Sequence, residues 1–73
     1  MWLRTISGNY VNTEHISKLY VSCPELEDRY WRVMAVLAHT GGGVACLGRY
    51  AGEAESQRAL DHIIEILNNT RRN

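Results

Sequence analysis

Apolar and polar residues alternate with a period of two through most of the chain as far as Tyr50, and then change to a helical period. Alternation at period two is the signature of strands with two unlike faces. Residues 2–6 read as a short first strand, ended by the turn signal Ser7-Gly8-Asn9, and Tyr10-Val11-Asn12 as a short return strand. Asn12 or Thr13 then offers a cap for one helical turn through Glu14 and His15. Ile16 to Cys23 reads as a third strand, with Leu19, Val21 and Cys23 on one side and Lys18, Tyr20 and Ser22 on the other. Pro24 ends it, and Glu25-Leu26-Glu27-Asp28 makes a solvated acidic loop.

Tyr30 to Ala38 is the longest predicted strand. Trp31, Val33, Ala35 and Leu37 share one face, and Tyr30, Arg32, Met34 and Val36 the other. Both faces are largely apolar, as in a central strand covered on both sides. His39 to Gly43 forms a hairpin connection, and Val44 to Tyr50 closes the meander. After Gly52 the period changes. Leu60, Ile63, Ile64 and Leu67 fall on one helical stripe, widened by Ala59 and Ile66, and Glu53 and Glu55 sit where the positive end of the helix dipole favours acid.

The expected architecture is therefore α+β: an antiparallel meander of four to five strands with one C-terminal helix packed on one face. It is a single domain over 1–73, with strands at about 2–50, a helix at about 53–68 and a frayed tail at 69–73. Seventy-three residues leave room for one core only, and at this length oligomerisation is a common supplement to it. The helix stripe is expected to pack on Leu19, Val21, Trp31, Val33 and Leu37.

The pattern Gly8-x-Tyr10-Val11-Asn12-x-x-x-Ile16, followed by a meander and a helix with an acidic start, resembles that of short bacterial and phage meander-plus-helix proteins. Its early Gly, Asn and Ile are similar to those of the small FlbD-like flagellar proteins. That likeness covers about the first 20 residues. The acidic loop, the triple glycine and the long helix depart from it, and no functional residue is carried over.

Charge narrows the function. Eight basic and eight acidic residues cancel, which removes the electrostatic attraction behind most non-specific nucleic-acid binding and disfavours that partner. Neutrality also lowers the resistance to self-association. No apolar run reaches the roughly 20 residues of a membrane helix, and the amino-terminal residues lack the plan of a secretory leader. The cytoplasm is then the expected location, with Cys23 and Cys46 reduced. A meander would also hold those cysteines two strands apart, near 10 Å, beyond the ~7 Å a disulfide tolerates.

His15, His39 and His62 are too far apart in sequence to pair as metal ligands, so neither metal nor other cofactor is expected, and no catalytic constellation is visible. Gly41, Gly42 and Gly43 could cradle an anion with their main-chain N–H groups if Arg32 or Arg49 supplied charge. The loop leads into a strand and lacks the Lys-Ser/Thr ending of a nucleotide loop, so a hairpin tip is the simpler reading. The aromatics divide: Trp31 and Trp2 read as core, and Tyr20, Tyr30 and Tyr50 as surface or interface. Three functions follow in order. The first is a non-catalytic interaction module that dimerises through the sheet face carrying Tyr20, Tyr30, Met34 and Val36, with Ala59 and Ile66 as a second surface, or that docks another protein. The second is a binder or sequesterer of a small anionic ligand or nucleotide. The third is a nucleic-acid-binding regulator.

Overall fold

The computed structural model describes residues 1–38 and 43–71, with side chains described as far as Asn69. In chain order the elements are β1 (Trp2–Arg4), β2 (Tyr10–Asn12), a 3-10 turn (Thr13–His15), β3 (Ile16–Ser22), β4 (Trp31–Leu37), β5 (Val44–Tyr50) and α1 (Glu53–Arg71). The class is α+β. The single meander is not: the strands form two antiparallel sheets, β1-β2 and β3-β4-β5. The cause lies at Asn12, whose side chain accepts the Glu14 N–H at 3.1 Å and caps the 3-10 turn. That turn redirects the chain without reversing it, so β3 leaves β2 behind and pairs only with β4.

The β1–β2 hairpin is set by its loop. Thr5 donates its N–H to Asn9 O at 2.7 Å and accepts the Gly8 N–H at 3.1 Å. Gly8, at φ 88°, takes the left-handed position that closes such a loop and that other residues avoid. Thr5 is buried, and its hydroxyl accepts the Asn9 N–H. The hairpin meets the larger sheet through Ile6, whose N–H donates to Cys46 O at 3.0 Å.

In the three-stranded sheet, Leu19, Ala35 and Ala45 lie in one cross-strand row, and Tyr20, Met34 and Cys46 in the next. Val33 and Ala35 are fully buried beneath α1, so the faces divide along β4 as its alternation predicts. Two bulges adjust the neighbours. On β3 the register passes from Ile16 opposite Leu37 to Lys18 opposite Val36, which leaves Ser17 extra. On β5 it passes from Cys46 opposite Met34 to Gly48 opposite Val33, which leaves Leu47 extra. An extra residue inverts the alternation beyond it. Val44 and Cys46 therefore join Val36 and Met34 on the face away from the helix, whereas Gly48 and Tyr50 join Val33 and Trp31 on the helix side.

Helix α1 runs to Arg71, past the expected end near Asn68. It buries Ser56, Leu60 and Leu67, with Ile63 half-buried between them. Ile64, expected in that stripe, is 40% exposed. It stands one residue past the centre line, so its side chain overhangs β3 at the sheet margin instead of entering the core. Ser56 is fully buried and donates its hydroxyl to Glu53 O at 2.7 Å, which satisfies it inside the first turn. Among the described residues no helix is long and apolar enough to cross a membrane.

Candidate functional site

The face of β3-β4-β5 opposite α1 carries three cross-strand rows. Lys18, Val36 and Val44 form the first, Tyr20, Met34 and Cys46 the second, and Ser22, Arg32 and Arg49 the third. The centre is apolar, with cations at both ends. Tyr20, Met34, Val36 and Cys46 are half-buried, while Val44 and Tyr30 are exposed. Four of the expected interface residues, Tyr20, Tyr30, Met34 and Val36, thus belong to this face or its margin. Ala59 and Ile66 do not: both lie half-buried on α1, on the other side of the sheet.

The cations are held by local contacts. Lys18 Nζ sits 5.5 Å from the centre of the Tyr20 ring, and the Arg49 guanidinium 5.5 Å from that of Tyr30. Such placements are favourable because the ring face is negative. Arg32 forms an ion pair with Asp28, four residues earlier. The other Asp28 oxygen accepts the Tyr30 N–H at 3.0 Å, and the Asp28 N–H donates to Glu25 O at 3.0 Å. Asp28 thereby ties the acidic loop to the arginine row and neutralises one of its two charges.

Of the expected anion cradle, Gly43 and the two arginines are described, and they lie apart. Arg32 and Arg49 are direct cross-strand neighbours. Gly43 lies at the opposite end of the β4–β5 hairpin, where its carbonyl accepts the Leu37 N–H at 2.8 Å. Leu37 stands five residues along β4 from Arg32, about 17 Å at the rise of a strand. No side chain at the arginine row spans that distance. Gly41, Gly42 and His39 lie outside the described residues.

Cys23 is exposed and Cys46 half-buried, and both are free thiols, with β4 between the strands that carry or precede them. Among the described residues no three His, Cys, Asp or Glu side chains converge as a metal site would require. His62 faces solvent on α1.

One surface escaped sequence reasoning. Trp2, expected in the core, is 64% exposed, and Tyr10 is 61% exposed. The register sets Trp2 opposite Asn12 and Arg4 opposite Tyr10, so these four share one face of the hairpin and Leu3 and Val11 share the other. The signal was present in the alternation of residues 2–4 and 10–12. Side-chain size argued for core, but a two-stranded hairpin shields only one of its faces.

No family model matches the chain, and no curated protein or solved structure matches it either.

Proposed function

We propose that the chain is a small non-catalytic assembly module that forms a homodimer through its three-stranded sheet. The observation that carries this reading is what the sheet leaves uncovered: the face opposite α1, on which Tyr20, Met34, Val36 and Cys46 come together, and the β3 edge, which has no strand beside it among the described residues. A sheet this narrow gains stability when a second layer or further strands remove its apolar surface from water. Two-fold pairing of identical surfaces is the commonest way to supply them. Zero net charge sets no long-range repulsion against it. A cytoplasmic location, with Cys23 and Cys46 kept reduced, belongs to the same reading.

A second reading rests on Arg49, stacked on Tyr30 beside Arg32. This corner offers cations and an aromatic ring to a small anionic ligand or to the phosphates and bases of a nucleic acid. Native mass spectrometry separates the readings. The assembly module appears as a dimer with no added mass. A monomer that retains a small anionic species would establish the second reading instead.

A further inference from the structure

The sheet leaves two surfaces open, a face and an edge, and they ask different things of a second copy. Any two-fold stacking of the open faces brings cations together, because Lys18 stands at one end and Arg32 and Arg49 at the other. The edge carries no such conflict. Of the two edges, that of β5 is already engaged, since Cys46 O accepts the Ile6 N–H. That of β3 has no strand beside it among the described residues.

Hydrogen-bond direction shows what the β3 edge presents. Ala38 donates its N–H back to His15 O, and Leu37 donates to Gly43 O on the other side. Even-numbered residues of β4 therefore direct their main-chain groups to β3, and odd-numbered ones to β5. In this register Lys18, Tyr20 and Ser22 are engaged with β4, while Leu19 and Val21 turn their N–H and C=O groups outward. The bulge at Ser17 and the proline at position 24 bound this regular stretch, which leaves Lys18 to Ser22 with Tyr20 at its midpoint.

We infer that two copies join antiparallel along β3, centred on Tyr20, to make one six-stranded sheet. This rests on the self-association proposed above and names the contact that produces it. Leu19 of each copy then exchanges both main-chain hydrogen bonds with Val21 of the other. Tyr20 meets Tyr20 as the close, non-hydrogen-bonded pair, and Lys18, the only charge on the strand, faces Ser22, with Arg32 one strand further on and already paired to Asp28. On the helix side, the half-buried Leu19 and the exposed Ile64 border a groove with Ile16 and Leu67. The partner's Val21 arrives beside Leu19 at its mouth. An edge of five residues is only about 17 Å long, so the contact falls at the small end of stable interfaces, and dissociation belongs in the micromolar range.

A disulfide trap reads the register directly. In a Cys23→Ser, Cys46→Ser background, Tyr20→Cys would place two thiols at a non-hydrogen-bonded pair, with Cα atoms ~4.5 Å apart and within disulfide reach. Ser22→Cys would instead hold its two thiols ~14 Å apart, four residues out of register. Face-stacked sheets would keep either pair ~10 Å or more apart. Under mild oxidation at micromolar concentration, Tyr20→Cys should convert to covalent dimer and Ser22→Cys should stay monomeric on a non-reducing gel. Met34→Glu, a charge on the open face, should leave dimer formation in sedimentation unchanged. Equal trapping of both cysteine variants, or a dimer abolished by Met34→Glu, would overturn edge pairing and leave self-association standing. A native chain that sediments as a monomer would overturn both.

Discussion

Gly48 shows how closely single positions are fitted. It is buried on the helix side of β5, and a Cβ there would stand 2.7 Å from the Tyr50 hydroxyl oxygen and 2.8 Å from the ring. Tyr50, two residues further along the strand and so on the same face, lies across this glycine, and the bulge at Leu47 turns both to the helix side. Gly48→Ala must push the ring aside and should cost about 1–3 kcal/mol, as overpacking does. In a Tyr50→Ala background most of that cost should vanish, and urea titrations of the four proteins in the cycle measure the coupling. An equal cost in both backgrounds would show that backbone strain, not the ring, excludes a side chain. Neither bulge was legible in the sequence. Alternation alone puts Val44, Cys46, Gly48 and Tyr50 on one face, and only the pairing with β4 shows where an extra residue divides them.

The helix illustrates what periodicity resolves and what it leaves open. Position and type were legible from the spacing of apolar residues, and the stripe was right at Leu60, Ile63 and Leu67. It was wrong at Ile64, because a stripe drawn on a cylinder takes no account of where the sheet beneath it ends. Ser56, the fully buried first-turn residue, was missed because a serine carries no hydrophobic signal. These positions predict unequal costs. Leu60→Ala should lose ~2–5 kcal/mol as a core truncation, and Ile64→Ala only about 1 kcal/mol in the monomer, since water already reaches it. Denaturant midpoints of the two variants check this order, and equal losses would place Ile64 in the core. The strands were legible to within a residue or two, and the turn at Gly8 and the cap at Asn12 follow from local chemistry. The division into two sheets was not, since it depends on whether a 3-10 turn reverses the chain. Nor did the sequence show that Gly43 and the arginines Arg32 and Arg49 would lie at opposite ends of one hairpin.

For the molecule as a whole, charge and surface pull in different directions. The open face pairs an apolar centre with basic ends, and the β3 edge offers unpaired main-chain groups beside a groove lined by Leu19 and Ile64. Edges of this kind are usually blunted by charges, prolines or bulges, and here those devices flank the regular stretch without entering its centre. Salt separates the modes of association. Face stacking of like charges strengthens as salt rises, and anion binding weakens. Edge pairing, with Lys18 opposite a serine, is nearly indifferent. Sedimentation equilibrium of the reduced native chain across a salt series at micromolar concentration therefore decides among them. Edge pairing gives a particle of twice the 8.3 kDa chain mass, with a dissociation constant that salt barely moves. A particle of 8.3 kDa at every concentration and salt would contradict it.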